Sequence, residues 1–442
     1  MAIHPIEYRY NTPEMYGLFE EKNILEKRML VEAALVKAHS KIGNVPKKAA
    51  KKVEKVAKSG NVKLKRVKEI ESEIKHDLMA IVKAMSEKSG DAGKYIHLGA
   101  TSYDIIDTAW ALIFREALNL ILDDLKKFKK VLKKGAENYK ETVMIGRSHG
   151  QHGIPITLGF KFASWFEENE RNIERTEEAL DLISVGQLTG AVGTQASLGE
   201  KGLEIQKEFL SELDLDEPGI TTQVIPRDRH AEVIVHLVFI AEELERIAKE
   251  IRNLQRPEIL EIEEPFKKMQ VGSSTMPQKR NPYRSERICG IARYLRGNVL
   301  SAFENIPLEH ERDLTNSSNE RLIFSETFIL MDFILREAID IVGNLNVYPE
   351  NMQKNLNLTK GRVMAEAVMI KLVEKGLGRQ EAHELIRKNS MKSFKEDKHL
   401  LDVLLEDKEI KEYLDEKEIK EVMKPGNYLG TVKKQIEKAL KD

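Results

Sequence analysis

DTAWALIFREALNLILDDLKKFKKVLKK, residues Asp107 to Lys134, carries Trp110, Ile113, Ala117, Ile121, Leu125, Phe128 and Leu132 at intervals of three and four. That spacing lays one apolar stripe along a long helix. Asp107 and Thr108 are the expected caps at its start. A second stripe runs through Val233, Leu237, Ile240, Leu244, Ile247, Ile251 and Leu254, and stops before Pro257, where a helix interior would break. A third, from Leu322 through Phe333 to Val342, is apolar nearly all round, which predicts burial on several sides. No sustained period-two alternation accompanies them, so the fold class is all-α. Helices this long are unusual in one globular domain and point to a bundle, shared between subunits where several faces must be covered.

Composition narrows the function. The 442 residues hold 71 Lys+Arg against 72 Asp+Glu, a formal net charge of -1. A protein that coats nucleic acid or an anionic membrane would carry a basic excess. Lys47 to Lys68 is basic and amphipathic, but no aromatic residues for stacking are interleaved with it, so it reads as a solvated helix face and no nucleic acid is expected as a partner. The richness in Lys and Glu also fits a heat-adapted protein. One cysteine, Cys289, excludes an internal disulfide framework and a Cys-rich metal centre. The opening residues lack a basic start followed by an apolar run, and no apolar run approaches the roughly 20 residues of a membrane span. A soluble, cytoplasmic protein with no membrane partner is expected. The charged stretch Glu396 to Asp442 is expected to form short surface helices.

Between the stripes lie short segments rich in Gly, Ser, His and Pro: Tyr95 to Asp104, Gly146 to Thr157, Gly186 to Gly202, and Val271 to Pro282. Such connecting segments, held by a rigid frame, often carry function. His149 and His152 lie three apart, but Gly150 and Gly153 argue against a regular helix there, and no carboxylate stands beside them as a third ligand; no metal site is expected. GSSTMPQKRNP, Gly272 to Pro282, is the most informative segment. It packs a glycine, two adjacent serines, a Lys-Arg pair, an asparagine and two prolines into one stretch. The combination reads as a mobile lid that carries polar groups to a substrate. A serine is a poor base or nucleophile until its oxyanion is stabilised, and Lys279 and backbone N–H groups are candidates for that help.

This segment resembles the signature loop of the fumarase/aspartase superfamily, lyases that release fumarate by β-elimination. HLGATSYDIIDTA (His97 to Ala109) and GRSHGQHGIPITLG (Gly146 to Gly159) resemble the superfamily's first and second shared regions, in the family's order. Within the superfamily the chain most resembles the adenylosuccinate lyase family, through RYNTPEM (Arg9 to Met15), KHDLMA (Lys75 to Ala80), TTQVIPRDRH (Thr221 to His230) and LEHERDLTNSSNER (Leu308 to Arg321). The resemblance implies an all-α, fumarase/aspartase-like fold, a long central helical bundle flanked by two smaller helical domains. Residues 1–106 would form the N-terminal domain, 107–350 the central one with the signature loop at 271–282, and 351–442 the C-terminal one.

It also implies chemistry. Elimination removes a proton beside a carboxylate and breaks a C–N bond, which requires a base, an acid for the leaving nitrogen, and positive charge or N–H donors for the developing oxyanion. By resemblance Ser273 is the general base, with Ser274 the alternative. His149 is the general acid, a role that suits a side chain titrating near neutrality. Lys279 and Asn281 would contact the succinyl carboxylate. His76 and Asp77 resemble a ligand-binding pair, preceded by Lys75 where the family usually has Arg; Lys keeps the charge and loses the planar fork. His97 resembles an active-site histidine near the phosphate or the acid. Thr101 and Ser102 would donate to a carboxylate or phosphate, and could equally cap a helix before Asp104. Arg9 and Tyr10 would reach the nucleotide and Gln223 the substrate. Arg287, Arg312, Ser317 and Arg321 would gather around phosphate and purine; the plainer reading for Arg312 and Arg321 is an ion pair with Glu309, Glu311 or Glu320.

The implied partners are purine nucleotide substrates and further copies of the chain, in a homotetramer with shared active sites. No cofactor, metal or organic, is implied. Two departures stand out: Ser148 where Thr is common, and Gln278 where His or Tyr is common. Gln278 keeps the argininosuccinate lyase branch as the runner-up. A catalytically silent structural protein on the same scaffold would be expected to lose the loop chemistry, whereas Ser273, His149, Lys279 and Asn281 are all present.

Overall fold

The computed structural model describes residues 3–266 and 274–441. Its elements are overwhelmingly helical. The three stripes are helices Ser102–Asn138, Asp228–Leu254 and Thr315–Gly343, of 37, 27 and 29 residues. At 1.5 Å per residue the longest spans about 55 Å. Leu158–Ile183 and Tyr283–Glu304 add two more long helices. The first helix begins ahead of the expected caps. Asp107 and Thr108 are buried within it, and the Thr101 backbone N–H donates to Asp104 at 2.8 Å, in the first turn. Asp107 is instead an interior partner for a distant arginine.

The chain divides into two compact units, each formed from three segments. The first comprises Met1–Lys126, Arg171–Leu244 and Gly290–Arg336. Its N-terminal helices Glu21–Lys41, Lys47–Lys58, Leu64–Ile74 and Asp77–Ser89 bury one apolar cluster that includes Leu35, Val53, Ile70 and Met85. In Lys47–Lys58 the apolar face Ala50, Val53, Val56 and Ala57 is buried while the lysines are exposed, which is how a basic amphipathic helix satisfies both halves of its sequence. Elsewhere in this unit aromatic rings interlock. Phe114 meets Phe324 edge-on at 4.9 Å and stacks on Phe328 at 5.2 Å, and Phe19 stacks on Phe328 at 5.5 Å. Such pairs add roughly 0.5–1.5 kcal/mol each beyond the area they bury.

The second unit comprises Lys127–Glu170, Glu245–Cys289 and Glu337–Asp442. Gly135 lies directly under the Phe162 ring, where an added Cβ would fall 2.2 Å from a ring carbon; only glycine permits that approach. The charged C-terminal stretch forms short helices, as expected, but is more than surface: Leu400, Leu404, Ile410, Leu414 and Ile419 are buried in this unit's core cluster. The segment around Gly146 to Thr157, left non-helical by its pattern, folds as an antiparallel hairpin of strands Val143–Ser148 and Gln151–Thr157. A second short pair joins Ile262–Glu263 to Asn346–Val347. Among the described residues no helix is long and apolar enough to cross a membrane.

Candidate active site

The expected site residues fall in both units. In the first, Asp77 is the hub. It follows His76, whose Nδ1 accepts from the Met79 N–H at 3.3 Å and so caps helix Asp77–Ser89. A ring nitrogen that accepts must be unprotonated, which leaves the proton of neutral His76 on Nε2. Lys75 is exposed and takes a left-handed backbone, φ 56°, at the close of the preceding helix. Asp77 receives Arg28 Nη1 at 3.4 Å, Arg321 Nη2 at 3.1 Å and the Leu78 N–H at 2.8 Å. Burial alone would raise its carboxyl, but Arg28, the Leu78 N–H and Arg321 reverse that and hold it below the usual range. Arg28, Asp77 and Arg321 line a cleft of about 250 Å³ together with Lys68 and Trp110.

His97 adopts φ 65°, and its Nδ1 lies 2.7 Å from Glu32 Oε1. Thr101 and Ser102 stand at the start of the 37-residue helix, the position their capping alternative required. Arg9 ends the short helix Pro5–Tyr8, with its guanidinium carbon 5.6 Å from the Tyr10 ring centre; Tyr10 packs on Phe333 at 5.6 Å. Arg312 lies over the Tyr103 ring, its central carbon 3.6 Å from the ring centre, and donates through Nη1 to Gln223 Oε1 at 2.9 Å. Gln223 Nε2 in turn donates to the Ala191 carbonyl at 2.7 Å. Arg312 Nε and Nη2 are buried without a hydrogen-bond partner among the described residues. Neither Arg312 nor Arg321 makes the expected plain ion pair. Glu320 is taken instead by Arg227, at 2.8 Å. Ser317 is half-buried in the first turn of Thr315–Gly343.

In the second unit, His149 and Gly150 form the two-residue hairpin turn, with φ 55° and 72°. Two successive left-handed residues match the twist of the flanking strands, and the turn leaves His149 exposed. Arg147 anchors the hairpin with a two-pronged bond to Glu261, 2.8 Å on each arm, and Glu261 is fully buried. Of the signature loop, Ser273 lies outside the described residues; Ser274 and Lys279 are exposed and Asn281 is half-buried. Lys279 and Asn281 line a cleft of about 910 Å³ with Lys249, Arg252 and Arg256, an electropositive setting for an anionic ligand. Arg287 pairs with Glu337 and lies 5.6 Å from the Tyr283 ring centre. Sequence reasoning passed over the acidic run Glu261, Glu263 and Glu264. Glu263 accepts from Tyr348 Oη at 2.8 Å and Arg280 Nη1 at 3.1 Å. Glu264 accepts the Ser285 N–H at 2.6 Å, and burial raises its carboxyl against the lowering effect of Ser285 and Arg284. Three carboxylates ahead of a loop rich in cations were the available signal.

A family model described as Lyase matches residues 6–297, so the helical frame and its loops are those of a lyase, an enzyme. The same frame recurs in solved structures: a fumarate lyase from Mesorhizobium sp. BNC1 (TM-score 0.91, 30% identity, 98% of each chain) and the 3-carboxy-cis,cis-muconate lactonizing enzyme from Pseudomonas putida (TM-score 0.90, 30% identity, 98% of this chain and 97% of that one). A second model, Adenylosuccinate lyase C-terminus, matches residues 361–439. The chain is 51% identical over 440 residues to an adenylosuccinate lyase of Pyrococcus horikoshii, covering 100% of this chain and 98% of the relative. It is 49% identical over 443 residues to one of Methanocaldococcus jannaschii, covering 100% and 96%. The chain belongs to the adenylosuccinate lyase family.

Proposed function

We propose that the chain cleaves adenylosuccinate to AMP and fumarate, and the succinylated carboxamide ribotide SAICAR to AICAR and fumarate, by β-elimination. The observation that carries this reading is the identity to adenylosuccinate lyases over the whole chain. The loop and hairpin side chains that the reaction needs are also present.

The Ser273 oxyanion takes the proton from the carbon beside the succinyl carboxylate. The electron pair left behind forms the fumarate double bond as the C–N bond breaks, and His149 delivers a proton to the departing purine nitrogen. Charge gathers on the carboxylate during the first step, where Lys279 and the Asn281 amide stabilise it. Asp77 and His76 orient the nucleotide, with Lys75 beside them. Thr101, Ser102 and His97 hold a phosphate or carboxylate. Arg312 offers buried, unpaired N–H groups beside Gln223, which suits an anionic or carbonyl oxygen. Arg9, Tyr10, Arg287, Ser317 and Arg321 complete the nucleotide site. The protein works in the cytoplasm as a homotetramer, with each active site drawn from more than one subunit.

The test is an ultraviolet assay run in parallel with adenylosuccinate and argininosuccinate, following fumarate release. Turnover of adenylosuccinate alone supports the reading. Turnover of argininosuccinate alone overturns it and makes Gln278 the informative residue. Size-exclusion chromatography with light scattering tests the tetramer.

A further inference from the structure

Glu32 is fully buried on helix Glu21–Lys41, amid the apolar cluster of the N-terminal helices. A carboxylate there costs several kcal/mol of desolvation unless it is paired. Its Oε1 meets His97 Nδ1 at 2.7 Å, while Oε2 has no hydrogen-bond partner among the described residues. His97 itself stands in the left-handed region, φ 65°, which a non-glycine side chain tolerates only where its surroundings enforce it. Those surroundings are present. His39 Nε2 donates to the Leu98 carbonyl at 2.9 Å, and Asn44 bonds His39 Nδ1 at 3.2 Å. Ser197 donates to the Gly99 carbonyl at 2.5 Å. The segment is braced from two sides so that the imidazole meets one buried carboxylate.

We infer that Glu32 is a positioning residue that acts through His97: it holds the ring with Nδ1 protonated and presents Nε2 to an anionic group of the ligand. This rests on the lyase reading above. A carboxylate facing Nδ1 keeps one proton there, so the second proton of the imidazolium sits on Nε2, on the opposite side of the ring, where it can donate to an anion. The charged neighbours favour the cation. Burial lowers the His97 pKa, but the bond to Glu32, the charge of Glu32 and the charge of Asp104 on the next helix bring it above the ordinary value. Burial lowers the His39 pKa, against the raising effect of its bond to the Leu98 carbonyl. The anion is a phosphate or a carboxylate.

The test compares wild type, Glu32→Gln and Glu32→Asp as the full-length protein. Histidine ring NMR, assigned with His97→Asn, reads the dyad without reference to activity. The His97 midpoint is expected to move down in Glu32→Gln, and in Glu32→Asp should Glu32→Gln not fold. The basic limb of kcat/KM for adenylosuccinate should move the same way, with KM at alkaline pH rising about tenfold, the loss of one charge-assisted hydrogen bond. Glu32→Gln added to His97→Asn should cost nothing further. Calorimetry with AMP and with fumarate separates the anions: the ligand that weakens in Glu32→Gln names the group. An unmoved His97 resonance, or AMP and fumarate affinities both unchanged, overturns the inference. A wild type that binds neither ligand, with the NMR shift intact, would instead sink the lyase reading.

Discussion

Asp107 and Arg227 face each other as a two-pronged ion pair, Nη1 and Nη2 lying 2.8 and 3.0 Å from the two carboxylate oxygens, with each side chain 1% exposed. Arg227 Nε reaches Glu320 at 2.8 Å on its other side. One cation thus stands between two buried carboxylates. Removing it strands both, so Arg227→Met is expected to destabilise the protein by about 3–5 kcal/mol. Replacing all three residues together by apolar side chains of similar volume should recover most of that loss. Denaturant midpoints of the single and triple variants check both statements.

The clasp on Asp77 differs, because Arg321 is 61% exposed in its side chain. Exposed pairs contribute little to stability. On its other side Asp77 pairs with Arg28, only 12% exposed in its side chain, so Asp77→Asn is expected to cost about 1–3 kcal/mol in folding while raising KM for adenylosuccinate about tenfold, the size of one charged contact. Unfolding curves and steady-state kinetics on the same preparation separate the two effects. A large stability loss with unchanged KM would make Asp77 a structural residue.

His149 sits on an exposed turn whose hairpin is anchored elsewhere, by Arg147 on Glu261. His149→Ala should leave the melting temperature unchanged and lower kcat by about 10²–10⁴-fold, the usual range for a lost proton donor. Ser273→Ala should behave alike, retaining AMP binding. Full activity in His149→Ala would move the acid role to His97.

His230 is buried against Phe324, 5.5 Å between ring centres, and against Phe114 at 5.8 Å. Burial, then the charges of Arg227 and Arg229, depress its pKa well below the ordinary value. The folded state therefore binds fewer protons here than the unfolded chain. The stability from this group is complete above the unfolded pKa of about 6.5 and falls as pH drops below it, by about 1.4 kcal/mol per pH unit. His230→Phe is expected to flatten that part of the pH–stability curve between pH 6.5 and 5. An unchanged slope would mean that another histidine carries it.

The long helices were legible because an apolar stripe at intervals of three and four is a local property, written out over dozens of residues. Their starts were less so. Asp107 reads as a cap because its side chain suits one, yet the helix begins at Ser102, since a partner 120 positions away makes Asp107 tolerable inside. The hairpin at His149 was visible only as a break in periodicity. Strands this short and mixed do not alternate cleanly, and their pairing depends on Gly150 and on Glu261, far along the chain.

The chemistry followed a similar division. Family and candidate residues could be read from contiguous motifs, because reacting groups cluster on short loops and a motif needs no neighbours to be recognised. The residues that pair with the candidate side chains or brace their loops could not. Arg28, Glu32 and Glu261 sit in ordinary helical or acidic contexts, and nothing local marks them. Asp77 meets Arg28 and Arg321 across 49 and 244 positions of chain, and His97 meets Glu32 across 65. Such pairings exist only after the chain has folded back on itself, because burial sets which charges can meet at hydrogen-bond distance, and burial is a property of the packed unit rather than of any segment.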